Sequence, residues 1–226
     1  AFIRSLNLAE DFFGRVPMPE WSKAALGGAI VGAVAIWLPN VYGVGYTTIS
    51  DALSGSLPIA LMAMLVVAKI FATSVTIGSG GSGGIFAPSL FMGAMAGGVV
   101  GHLVVQYFPG ATASSGAYAL VTMGAVVAAT THAPVSAIII IFELTQTIDI
   151  IPALMTACVI STLVSQLSYR DSIYTTKLRR QGIDIFETKD PNVLKGLFVR
   201  DVIVPDPEVL PASADFKTVL DLVVQS

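Results

Sequence analysis

Between positions 78 and 88 the chain reads Gly78-Ser79-Gly80-Gly81-Ser82-Gly83-Gly84-Ile85-Phe86-Ala87-Pro88, a stretch nearly free of side chains that runs straight into an apolar segment. Glycine lets the backbone turn freely and bring its amide N–H groups up to a ligand. Pro88 suits a first helical turn, where its missing N–H would have no partner in any case. The free N–H groups of such a turn, with the positive end of the helix dipole, attract an anion. A full positive charge in the same place would be costly to bury. Amide dipoles supply partial charges, so binding is firm enough to capture an ion and weak enough to release it, as conduction requires.

Three other readings of this stretch carry less. A flexible Gly/Ser linker does not belong between two long apolar runs. A phosphate-binding loop needs a Lys followed by Ser or Thr after its glycines, and neither is so placed. Close helix packing by the glycines is compatible with anion binding. Elsewhere the chemically capable residues stand alone. Lys69 is the one basic residue inside the apolar block, and snorkelling of its ammonium to an interface is favoured over a pore charge. Glu143 reads as a structural hydrogen-bonding group near an interface rather than a proton relay. His132 reads as a cap or packing residue, His102 as lying near a helix end, and Asp51 and Asp149 as loop or helix-end residues. The single cysteine, Cys158, excludes an intramolecular disulfide and any multi-cysteine metal site. No Ser/His/Asp, paired-carboxylate or metal-ligand constellation is apparent, so neither an enzyme, a metal site nor a cofactor is expected.

The elements that must position the glycine-rich stretch belong in lipid. Of 226 residues 54% are hydrophobic and 12% charged, against about 25% charged in a soluble domain. From 24 to 168 the formal charges are Asp51, Lys69, Glu143 and Asp149 alone, too few to wet a surface of that size. Apolar runs cover 24–38, 46–54, 58–78, 85–105, 117–131, 134–144 and 150–167. A spanning helix needs about 20 residues, and several runs fall short. Gly- and Pro-punctuated short helices survive at membrane depth only where their ends face protein or a watery cavity, the usual pointer to a transporter binding site. Gly93, Gly97 and Gly101, four residues apart, mark one face for close helix contact. The Ile138-Ile139-Ile140-Ile141 run is apolar on every side and faces lipid or a partner subunit. Arg4, Arg15 and Lys23 precede the apolar block, and Arg170, Lys177, Arg179, Arg180, Lys189 and Lys195 follow it. Both flanks are therefore expected on the cytoplasmic side of a multi-pass cell-membrane protein. Nothing points to nucleic acid, which would want a basic face.

Gly84-Ile85-Phe86-Ala87-Pro88 resembles the GxFxP signature of the CLC family of chloride channels and chloride/proton antiporters. Met123-Gly124-Ala125, the Thr131-His132-Ala133-Pro134-Val135-Ser136 stretch, and Phe142-Glu143-Leu144-Thr145 extend the resemblance in consistent order over roughly residues 20 to 185. The resemblance implies a CLC-like second half: an all-α integral membrane bundle of tilted and partly broken helices over 1–188. It implies that Gly84, Ile85 and Phe86 bind an anion through backbone N–H groups. It also implies that Tyr174, matching a tyrosine at the start of the family's last membrane helix, adds its hydroxyl. Taken without the resemblance, Tyr174 reads rather as an interfacial aromatic anchor. The family's serine- and glutamate-bearing signatures do not occur here. Members are homodimers, so contact between copies is expected through 134–144 and 150–167. Residues 189–226, with Arg200-Asp201-Val202-Ile203 and Phe216-Lys217-Thr218-Val219-Leu220, resemble the opening of a CBS domain, a small α/β cytoplasmic unit; its early end makes nucleotide binding unexpected. The expected function is transport of chloride or a similar small anion across the lipid bilayer, as channel or antiporter. The alternative is another broken-helix transporter coupled to a cation, which would want acidic residues near 78–88, where none stands.

Overall fold

The computed structural model describes residues 2–180, 182, 215 and 216, and the chain divides into two units, Ala1–Ile183 and Asp184–Ser226. Every regular element among the described residues is helical. In chain order they are α1 (Phe2–Arg15), α2 (Glu20–Trp37), a 3-10 turn (Pro39–Val41), α3 (Tyr46–Leu53), α4 (Ile59–Gly78), α5 (Phe86–Tyr107), α6 (Ser115–Thr131), α7 (Pro134–Thr145), α8 (Ile151–Ser168) and α9 (Ile173–Arg180). The expected bundle of apolar and partly short helices is what the chain forms. The CBS-like segment lies outside the described residues.

Prolines set the starts. Pro19 and Pro58 hold the extended conformation just before α2 and α4, and α7 and α8 carry Pro134 and Pro152 in their first turns, where a missing N–H costs nothing. Ser114 caps α6 by accepting from the Ala117 N–H. α4 and α5 have 20 and 22 residues and are long and apolar enough to cross a membrane, whereas α6 and α7 have 17 and 12.

The centre of the bundle is the antiparallel pair α5 and α6. A Cβ at Gly93 would lie 2.6 Å from Met123 Cα, one at Gly97 2.5 Å from the Tyr118 carbonyl oxygen, and one at Gly101 2.8 Å from Ser115 Cα. The glycine stripe thus brings two backbones together without side chains between them. Parallel to α6 runs α8, whose Ser161 and Ser165 hydroxyls donate to the Ala125 and Ala129 carbonyls at 2.8 and 2.6 Å. Around this lies one core built on Met62, Leu65, Phe91, Met95, Val127, Ile141 and Leu154, with Cys158 fully buried beside it. Outward-facing apolar residues are plentiful, among them Trp37, Tyr107, Ile139, Ile160 and Leu167, a surface that suits lipid rather than water.

Candidate anion site

The glycine-rich stretch is where α4 stops and α5 starts. Gly80, at φ 84°, closes α4 by donating its N–H to the Ile77 carbonyl, and Gly81 donates to the Thr76 carbonyl at 2.9 Å. Only glycine fits at 81, because a Cβ there would sit 2.7 Å from the Thr76 oxygen. Past that turn the pattern changes. The N–H groups of Gly84, Ile85 and Phe86 donate to no backbone carbonyl among the described residues. Ile85 caps α5 and Phe86 is its first residue, so these are the donors that a helix of this length leaves unpaired at its positive end. Ser89 braces the turn from inside. Its hydroxyl donates to the Ile85 carbonyl at 2.8 Å, which the Ser89 N–H also meets at 3.2 Å. Ile85, Phe86, Ala87 and Pro88 are half-buried, and Ser82, Gly83 and Gly84 are exposed.

Tyr174 sits on the first turn of α9 and is 49% exposed. That turn is fixed by a reciprocal cap: the Thr175 N–H donates to the Ser172 hydroxyl at 3.2 Å and the Ser172 N–H to the Thr175 hydroxyl at 2.8 Å. Asp171, buried, pairs with Arg179 at 2.9 Å, and Arg180 pairs with Glu10 and Asp11 of α1. Next to Tyr174, Ile173 is buried in an apolar cluster with Phe2, Leu6 and Met92, and Ile85 packs against the same cluster. Ile85 of α5 and Ile173 of α9, 88 residues apart in sequence, thus belong to one apolar cluster that Phe2 and Leu6 of α1 complete.

A cavity of about 530 Å³ opens beside the turn, lined by Gly81 to Gly84, by Ala87 and Pro88 of the first turn of α5 and by faces of α2 and α4. Gly84 lines it; Ile85, Phe86 and Tyr174 do not. Lys69 also lines it, and here the sequence reading is corrected. Lys69 is 3% exposed and does not snorkel. Its ammonium donates to the carbonyls of Val41 at 2.9 Å and Gly43 at 2.7 Å and lies 4.7 Å from the centre of the Phe91 ring. The two carbonyls and the ring face stabilise the charge inside the protein. The signal that was available is the polar face Lys69, Thr73 and Thr76 at i, i+4 and i+7 along an otherwise apolar helix.

The remaining residues singled out fall into place. Glu143 and Asp51 are exposed. His102 contacts the Gly98 carbonyl through Nδ1 at 2.9 Å. His132 ends α6 in the left-handed conformation, φ 58°, with Nε2 3.3 Å from the Ser165 hydroxyl. The hydrogen of that hydroxyl is already spent on Ala129, so His132 is the donor. No group of three or more metal-ligating side chains occurs among the described residues.

Comparison with known proteins decides the family. The profile of the family described as voltage gated chloride channel matches residues 1–166. The chain belongs to that family. A ClcB-like chloride channel protein of Ralstonia nicotianae is 37% identical over 179 residues, covering 79% of this chain and 42% of its own length. The voltage-gated ClC-type chloride channel ClcB of Escherichia coli is 37% identical over 156 residues, covering 69% and 37%. The crystal structure of a slow cyanobacterial Cl−/H+ antiporter superposes with a TM-score of 0.73 at 28% identity, covering 80% of this chain and 43% of that one. The chain thus spans about two fifths of the length of these relatives. The resemblance read from GxFxP and its companion motifs holds for the membrane-embedded part, and the protein is a membrane protein of the voltage-gated chloride channel family.

Proposed function

We propose that this protein carries chloride or a similar small anion across the cell membrane, as a channel or in exchange for protons. The observation that carries the reading is the row of N–H groups at Gly84, Ile85 and Phe86, free of carbonyl partners at the head of a 22-residue apolar helix. An anion held there meets aligned dipoles rather than a fixed charge, so it is exchanged rather than trapped. Tyr174 adds an O–H donor from α9, fixed by the Ser172–Thr175 cap. A phenol is suited to this role because it donates without bringing charge.

Basic residues in the last turn of α9, Lys177, Arg179 and Arg180, and Arg15 at the end of α1 support a cytoplasmic placement of both flanks. The test is reconstitution of the protein, at the full length of its relatives, into chloride-loaded vesicles. Chloride efflux on opening a counter-ion pathway, with or without coupled proton uptake, is the expected result. Vesicles that release no chloride would overturn the reading.

A further inference from the structure

The approach to α9 holds a buried acceptor without a donor. Asp171 is 7% exposed, and its Oδ2 accepts from Arg179 at 2.9 Å, while Oδ1 has no partner among the described residues. A carboxylate oxygen withdrawn from water costs free energy until a donor meets it. Asp171 stands directly before the Ser172–Thr175 cap, so whatever binds Oδ1 acts on the turn that carries Tyr174.

His132 lies within reach of the Asp171 charge. It holds φ 58°, the left-handed conformation that glycine usually takes at a helix end. Strain of this kind persists only where the surroundings fix it, and here Nε2 is fixed on the Ser165 hydroxyl at 3.3 Å. With its hydrogen on Nε2 the neutral ring has none on Nδ1, and protonation puts one there. The other ionisable groups leave this relation undisturbed. α9 and its approach bring Arg170, Asp171, Tyr174, Lys177, Arg179 and Arg180, of which Asp171 is the charge that acts on the ring. α8 carries only Cys158, seven residues before Ser165. α5 carries only His102 and Tyr107 and α7 only Glu143, each more than two turns from the end near His132. Burial holds the imidazole below its ordinary value of 6.5, and the Asp171 carboxylate works against that. The ring is therefore neutral at pH 7.5 and takes its charge in acid.

We propose that His132 and Asp171 are a proton-operated strut: the protonated ring donates from Nδ1 to Asp171 Oδ1 and ties the end of α6 to the cap that carries Tyr174. The helix that His132 ends packs against both α5 and α9. Two residues earlier, the Thr130 hydroxyl lies 3.5 Å from that of Ser89, which bonds to the Ile85 carbonyl. The strut thus holds Tyr174 to the element that braces the head of α5, and acid tightens the hold on the anion. His132 and Asp171 are positioning residues that act through Tyr174. This inference rests on the anion-transport reading above and adds its regulation by protons.

The test measures chloride affinity by titration calorimetry at pH 7.5 and 5.5, on the protein at the full length of its relatives, for the wild type, His132→Asn and His132→Arg. Asparagine tolerates the left-handed conformation and never charges, whereas arginine is always charged. The ratio of wild-type to His132→Asn affinity is expected near one at pH 7.5 and three- to tenfold at pH 5.5. His132→Arg is expected to exceed His132→Asn by a similar factor at both. A ratio that does not change with pH overturns the strut, and if melting temperatures fall alongside it His132 is a helix cap alone. His132→Arg matching His132→Asn at both pH values overturns it too. A second measurement needs no chloride. The His132 resonance of histidine-labelled protein, assigned by its loss in His132→Asn, is expected to titrate at lower pH in Asp171→Asn than in the wild type, and an unmoved titration overturns the pair. Should Asp171→Asn fail to fold, the affinity ratio decides. A wild type that binds no chloride overturns the underlying reading, and the ring titration still decides whether the strut exists.

Discussion

At the scale of single residues, the question is whether the Tyr174 hydroxyl joins the backbone amides of Gly84, Ile85 and Phe86 in holding an anion. The amides at Gly84, Ile85 and Phe86 cannot be deleted by substitution, but the Tyr174 O–H can. A hydrogen bond to a charged group is worth about 1.5–3 kcal/mol. Tyr174→Phe keeps the ring on α9 and removes only the donor, so it should weaken chloride binding by that amount, roughly ten- to a hundredfold. Titration calorimetry on the full-length protein reads this directly. Equal affinity in Tyr174→Phe and wild type would take Tyr174 out of the site and leave it as an exposed aromatic at the start of α9. The two residue types were legible to different degrees. The turn announced itself, because seven residues of Gly and Ser between apolar runs have few physical uses at membrane depth. Tyr174 rests on the family resemblance, since nothing local in Ser172-Ile173-Tyr174 says that Ile173 shares a cluster with Ile85. Lys69 was misjudged for a related reason. Its carbonyl partners lie 26 and 28 residues away, and the polar face of Lys69, Thr73 and Thr76 tells that the side chain turns inward but not what it meets.

Among the elements, the boundaries were the legible part. Runs expected over 58–78, 117–131 and 134–144 became Ile59–Gly78, Ser115–Thr131 and Pro134–Thr145. Lipid explains this, since a helix that cannot expose its backbone ends must be cut sharply by Pro, Gly or a cap. Partners were less legible. The Gly93, Gly97, Gly101 stripe shows that some backbone comes close, and only the fold shows that it is α6. Two kinds of glycine can now be told apart. Gly97→Ala places a methyl carbon 2.5 Å from the Tyr118 carbonyl oxygen, and α5 and α6 must separate to admit it, at a cost of about 1–3 kcal/mol. Gly32→Ala on α2 meets nothing within 4 Å and should be neutral or stabilising, because alanine is the better helix former by roughly 0.5–1 kcal/mol. Melting in detergent should separate the two, with Gly97→Ala lower and Gly32→Ala level or higher. Equal melting temperatures would mean that α5 and α6 do not meet backbone to backbone.

On the scale of the whole molecule, the outer face of α7 and α8 remains to be accounted for. Val135 and Ile139 on α7 and Met155, Val159, Ile160 and Leu163 on α8 are each about half or more exposed, and together they form a broad apolar surface. Lipid alone would satisfy it. Yet the α8 side is grooved along Pro152, Ala153, Thr156, Ala157 and Ile160, and small residues that let helices approach closely mark helix contacts in membranes rather than lipid-facing surfaces. Two copies related by a two-fold axis would bury this face against itself, since such an interface uses one patch twice. We propose a homodimer through α7 and α8. Cys158, the one cysteine of these 226 residues, has no exposed surface and so does not compete in crosslinking. Single cysteines at Ile139 and Ile160 in the full-length protein, oxidised in native membranes, should give a band of twice the monomer mass. A cysteine replacing Val67 on α4, equally exposed at 68% but on another helix, should not. If neither α7 nor α8 position bridges two copies while the control behaves as expected, lipid covers this face and the anion path functions within a single chain.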